Sequence, residues 1–137
     1  MNEGWFGDDY LILFADSELD AAGDRYGISR WLPGYELLGL RGWDDLIVSD
    51  GAGQTYSIPA VPIDPAYLVP FSIPKKGAIL EHDHRYAGKI KWYVKPIVLG
   101  GSPTDEENII WINHAQHGQL VNYWNRVYWE IKNRGPS

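Results

Sequence analysis

The sequence predicts an α+β fold, a twisted, mainly antiparallel sheet with a C-terminal helix packed on one face. Three observations predict it. Through residues 10–58, short apolar runs alternate with Gly, Asp and Pro turn signals, the pattern of an antiparallel meander. A proline-dense stretch follows, which no central strand tolerates. Finally, the chain ends on a long segment of helical periodicity that begins at His114. At 137 residues, the span 1–137 reads as one domain.

The elements follow in order. Residues 10–14 (YLILF) are almost wholly apolar between Asp8-Asp9 and Asp16, which predicts a strand buried on both faces. Asp16 or Ser17 then caps a short acidic helix, with Leu19, Ala22 and Tyr26 at helical spacing and Gly27 as its stop. Leu32-Pro33-Gly34 is a turn, residues 35–40 a strand, and Arg41-Gly42-Trp43-Asp44-Asp45 a tight connection. Residues 46–48 and 55–58 bracket Asp50-Gly51, a strong hairpin signal. Pro59, Pro62, Pro65, Pro70 and Pro74 make the next stretch an edge strand or an extended crossover. Residues 89–95 alternate Lys with Ile, Trp and Val, a half-buried strand that residues 96–99 prolong, and a Gly-Gly-Ser-Pro turn leads to a short strand over 109–112. Asn113 caps the last helix with Gln116 three residues on. Leu120, Trp124, Val127, Tyr128 and Ile131 form its apolar stripe, and Gly135-Pro136 lies beyond its end.

Composition narrows the function. With 45% hydrophobic residues and seven Trp, the chain has ample area for a core. The absence of cysteine excludes disulfides, thiolate metal sites and a cysteine nucleophile. The acidic start lacks the basic end and apolar run of a signal peptide, and no stretch approaches the roughly 20 apolar residues of a membrane span. A soluble, cytoplasmic protein with no membrane partner is therefore expected. The net charge of −6 makes nucleic acid a poor partner, because phosphate binding rests on Lys and Arg displacing counterions. That charge is unevenly placed: residues 1–68 carry twelve Asp+Glu against three Lys+Arg (−9), and residues 69–137 six against nine (+3). Such asymmetry steers a basic partner, although solvated carboxylates kept for solubility give the same count.

Few residues carry the pattern of a reactive centre. His82 and His84 flank Asp83, and His114 and His117 share a helical turn, a weak metal candidate with no motif linking the pairs. The doublets Asp8-Asp9, Asp44-Asp45 and Glu106-Glu107 are not catalytic dyads, since neighbours on a strand point to opposite faces. No nucleophile elbow, phosphate loop or His-Glu-x-x-His is present. No catalytic residue, cofactor or metal is therefore assigned, and the chain is not expected to be an enzyme. Trp92, Trp111 and Trp124 fall on inward stripes, whereas Trp5, Trp31, Trp43 and Trp129 are candidates for exposure. Exposed tryptophans suit a protein interface or, alternatively, a small carbohydrate-binding or enzyme accessory module.

Residues 2–7 (NEGWFG), the strand over 10–14, the acidic helix ending near Tyr26, residues 32–39 (LPGYELLG) and the hairpin to Ile58 resemble the middle of a SUKH-superfamily domain. There an Asn-Gly turn precedes a strand, a helix, a Pro-Gly-x-x-x-x-Gly strand and an acidic or Gly-rich strand pair. The resemblance covers about residues 2–71, and the segments 100–108 and 111–129 resemble the tails of bacterial relatives. Two departures stand out. The family's preceding helical region with its Leu-Pro-x-x-Tyr-x-x-Phe-Leu type motif is absent, so the chain is either a minimal version or begins upstream of Met1. The family's Asp-Gly-Gly-Gly stands here as Arg41-Gly42-Trp43-Asp44-Asp45, with one Gly retained. The resemblance implies an immunity protein, which binds a cognate bacterial toxin, often a nuclease, and blocks it without catalysis. An acidic surface suits the basic groove of such a toxin. Asp8, Asp9, Glu36, Asp44 and Asp45, with Trp5 and Trp43 as aromatic anchors, are the expected toxin-facing residues.

Overall fold

The computed structural model describes residues 1–74 and 79–134. Six strands form one antiparallel sheet in sequence order: β1 (Asn2–Phe6), β2 (Asp9–Leu13), β3 (Glu36–Arg41), β4 (Asp45–Ser49), β5 (Thr55–Pro59) and β6 (Val69–Pro70). Between β2 and β3 lie a 3-10 turn (Asp16–Glu18) and the helices α1 (Leu19–Tyr26) and α2 (Ile28–Trp31). A separate ribbon pairs β7 (Ile90–Tyr93) with β8 (Ile109–Ile112), and α3 (His114–Asn133) follows it. The α+β fold expected from the sequence is the fold observed.

Alternation along the strands explains the layering. Tyr10 and Ile12 of β2 face the main core with Leu37, Leu40, Leu46, Val48 and Ile58, beneath Tyr26, Trp31, Trp92 and Val121 from the helices and the ribbon. Leu11 and Ile47 point to the opposite face, where Phe71, Ile73 and Leu80 cover them. The chain on either side of residues 75–78 therefore packs on this second face, and it finishes beside β1. There Trp5 and Glu81 exchange backbone hydrogen bonds of 2.7 and 2.9 Å. Gly4 permits that approach, since a Cβ there would lie 2.6 Å from the Glu81 carbonyl oxygen. The β1 edge is thus paired at Trp5 by this single bridge.

Several local expectations need correction. Residues 2–6 form β1 rather than a turn, and the turn is Gly7-Asp8 between the Phe6 and Asp9 pair. Neither Asp16 nor Ser17 caps α1. Instead the Glu18 carboxylate reaches back 2.7 Å to the Ala15 N–H at the start of the 3-10 turn. Residues 96–99 do not prolong β7, because Pro96 starts a 3-10 turn, Ile97–Leu99. The Asn113 and Gln116 capping box does form, with bonds of 2.8 and 3.1 Å. The buried face of α3, however, is His117, Gly118, Val121 and Asn125, about one residue removed from the apolar stripe, and Ile131 is half exposed. Counting only apolar residues misplaced that face because its inner positions hold hydrogen-bonded polar groups. Gly135-Pro136 lies outside the described residues.

Those polar groups tie α3 down. The Asn125 side chain accepts from the Ile63 N–H at 2.6 Å and donates to the Ala60 and Val121 carbonyls at 2.8 Å. The Asp64 carboxylate accepts from Ala66 N–H, Tyr128 Oη and Lys132 Nζ. Its burial pushes the pKa up, but these three donors outweigh that and hold it below the usual carboxylate range. The proline stretch is an ordered crossover fixed to α3, with Val69–Pro70 as its short edge strand.

Candidate functional site

In a sequential antiparallel meander, every second turn falls at the same end of the sheet. The β1–β2 turn (Gly7, Asp8) and the β3–β4 loop (Gly42, Trp43, Asp44) are therefore neighbours. Gly7 at φ 62° and Gly42 at φ 59° take the left-handed conformation that these tight connections require. The two turns are joined directly: Arg41 Nε donates to Asp9 Oδ1 at 3.2 Å, and the Gly42 N–H donates to the Tyr10 carbonyl at 2.6 Å. This brings Trp5, Asp8, Asp9, Trp43, Asp44 and Asp45 around one concavity of about 420 Å³, with Tyr10, Arg41 and Lys91 completing its wall. Four carboxylates there face two cations.

Glu36 does not join them. It starts β3 opposite Ser49, at the far end of the sheet, where it shares a separate shallow depression with Asp20 and Asp24.

An aromatic cluster backs the concavity. Trp43 stacks on Tyr10 at 5.5 Å and meets the edges of Tyr86 at 5.0 Å and Trp111 at 5.4 Å, while Tyr86 stacks on Trp111 at 5.6 Å. Trp5 packs edge-on against Tyr10 and donates from Nε1 to Asp83. The Trp43 indole N–H is buried with no partner among the described residues. These mutual contacts fix the rings before any partner arrives, which limits the entropy lost on binding. Neither Tyr86 nor Trp111 was marked by the sequence as part of this site. Tyr86 sits in irregular chain without periodicity, and Trp111 was read as inward but is 44% exposed. Trp31, a candidate for exposure, is buried, and Trp5, Trp43 and Trp129 are partly buried.

The electrostatics single out Asp44 and Asp45. Asp44 is exposed as a residue, but partial desolvation by the surrounding chain raises its pKa, with Lys91 opposing. Burial also raises that of Asp45, reinforced by the charge of Asp44 and opposed by Arg41 and Ser57. Asp44 makes no hydrogen bond or ion pair through its carboxylate among the described residues, and Lys91 lies over the Tyr93 ring at 5.1 Å. Asp45, half-buried, therefore carries more of a desolvation cost than the exposed Asp44, and an incoming cation would favour the charged form of both.

The histidines take other roles. His82 and His84 are exposed and meet edge to face at 4.7 Å, while the Asp83 between them is engaged by Trp5 and Arg85. The Arg85 guanidinium and the Trp5 indole hold the Asp83 carboxyl far below the usual range. His117 is fully buried, with Nδ1 2.6 Å from Tyr26 Oη and its ring edge-on to Trp92. Burial lowers its pKa from 6.5 to about 3. His114 is lowered by burial too, and neither of its ring nitrogens has a partner among the described residues. Among the described residues, no three His, Asp or Glu side chains gather as a metal site, and no helix is long and apolar enough to cross a membrane.

No family model, curated protein or solved structure matches the chain.

Proposed function

We propose that the protein is a non-catalytic inhibitor whose acidic face binds the basic surface of a cognate bacterial toxin, the role implied by its resemblance to SUKH immunity proteins. The observation that carries this reading is the union of the β1–β2 turn and the β3–β4 loop. Two acidic doublets far apart in sequence, with Trp5 and Trp43, form one face at one end of the sheet. A pre-packed aromatic centre rimmed by charge is the arrangement that protein interfaces use for affinity and steering. Glu36 falls outside this face, and Tyr86 and Trp111 are added to it. The carbohydrate reading calls for a line of exposed tryptophans, whereas only Trp111 is prominently exposed among the described residues.

The reading is tested by co-expression in bacteria with the C-terminal domain of whatever protein the neighbouring upstream reading frame encodes, which the reading expects to be toxic. Wild-type protein should restore growth, and a folded Asp8→Lys/Asp9→Lys/Asp44→Lys/Asp45→Lys variant should not. Absence of protection by the wild type, or full protection by the variant, would refute the proposal.

A further inference from the structure

On the other side of the Trp43 loop lies a second, smaller cleft of about 180 Å³. Its apolar walls are Trp43, Trp92, Tyr93, Pro96 and Ile97, and Asp44 and Asp45 also line it. The volume is below the roughly 300–1,000 Å³ of small-molecule sites, and matches a single inserted side chain. None of the described residues lining the cleft is Lys or Arg; the cations that act on its two carboxylates, Lys91 on Asp44 and Arg41 on Asp45, line the neighbouring concavity instead. Ile97, 48% exposed, stands among the lining residues as apolar surface open to a partner.

Two side chains, lysine and arginine, satisfy both features. Apolar walls call for an aliphatic stem, and two carboxylates with no cation in the cleft lining call for a cation at its tip. Arginine fits better than lysine, because its guanidinium is less strongly hydrated, stacks on aromatic faces and donates to two carboxylate oxygens at once. We infer that this cleft is the specificity pocket of the interface and takes an arginine side chain of the partner protein, with its stem along Trp43, Trp92 and Pro96 and its guanidinium on Asp44 and Asp45. The inference rests on the inhibitor reading for the nature of the partner. The pocket itself rests on the cleft's walls and charge. A neutral or acidic side chain is disfavoured there, because it would shield the two carboxylates from water without supplying a cation.

The test uses ¹⁵N-labelled full-length protein and capped tripeptides Gly-X-Gly, where X is arginine, lysine, norleucine or glutamate. The arginine peptide should produce saturable shifts at the Trp43 and Trp92 indole N–H signals and the Ile97 amide. Lysine should bind more weakly, and norleucine and glutamate at least about tenfold more weakly. Asp44→Asn should weaken the arginine peptide about tenfold while the spectrum stays native. Ile97→Arg, at a half-exposed position, should occupy the cleft with the chain's own guanidinium and abolish the shifts. The proposal is overturned if norleucine binds as well as arginine, if Asp44→Asn leaves the affinity unchanged, or if the shifts fall on Trp5 and Asp8 instead. A failed peptide titration with intact cellular protection would overturn the pocket and leave the inhibitor reading standing. Peptide binding without cellular protection would support the pocket and overturn that reading.

Discussion

At the residue scale, the face assigned to binding carries a cost in stability. The folded-state pKa values of Asp44 and Asp45 are raised, so the folded chain holds more protons than the unfolded chain between the ordinary value of 3.8 and the raised values. Stability therefore falls as pH rises through that window, and at neutral pH both charged carboxylates oppose folding, the solvent-screened Asp44 less than the half-buried Asp45. Asp44→Asn should raise the melting temperature at pH 7, and the gain should vanish in acid, as thermal melts across pH would show. His117 works in the opposite sense. Its pKa falls from 6.5 to about 3 on folding, so its contribution is intact above 6.5 and is lost as pH drops toward 3. Urea midpoints should decline through that window in the wild type and more shallowly in His117→Gln. Asn125 is the most consequential polar residue of the interior, since truncation to Ala leaves the Ile63 N–H and two carbonyls without their partner. Asn125→Ala should destabilise by about 3 kcal/mol in urea denaturation. None of these pairings was legible in the sequence: Asn125 lies 62 residues from Ile63, and His117 lies 91 from Tyr26.

At the element scale, what the sequence revealed follows a physical rule. Elements defined by local signals were readable: the apolar run of β2, the Asp50-Gly51 hairpin whose Asp50 Oδ1 accepts from the Ala52 and Gln54 N–H groups, and the α3 capping box. Elements defined by partners were not. β1 holds an isolated bridge to Glu81, 76 positions from Trp5 and beyond any local pattern, and the buried face of α3 is set by what it meets. Gly118 illustrates the second case. In an exposed helix Gly→Ala gains about 1 kcal/mol, but here the new Cβ would lie 2.8 Å from the Arg25 carbonyl oxygen of α1. Nearby, Asn122 Nδ2 donates to that same carbonyl, and Asn122 Oδ1 accepts from Trp31 Nε1. Gly118→Ala should therefore destabilise, by about 1–3 kcal/mol, with a lowered melting temperature as the readout. A stabilised variant would show that α1 and α3 pack less closely.

At the scale of the whole molecule, the sequence's charge asymmetry becomes a geometric one, although not along the boundary the sequence draws. The excess of carboxylates in residues 1–68 divides between the two ends of the sheet. Asp8, Asp9, Asp44 and Asp45 gather at the turn end, while Asp20, Asp24 and Glu36 share a depression at the other. Chain order alone could not distinguish them, because membership depends on which turns the meander brings together. The basic half also contributes, since Lys91 reaches the acidic concavity and Tyr86 and Trp111 build its aromatic backing. The most direct measurement of the proposed binding face is calorimetric titration against the proposed toxin partner, at low and high salt. Three chains are compared: wild type, Asp44→Lys/Asp45→Lys, and Glu36→Lys. The turn-end variant should lose affinity by about 100-fold and most of its salt dependence, while Glu36→Lys stays close to wild type. Unchanged binding by the turn-end variant, or an equal loss in Glu36→Lys, would contradict the assignment of that face.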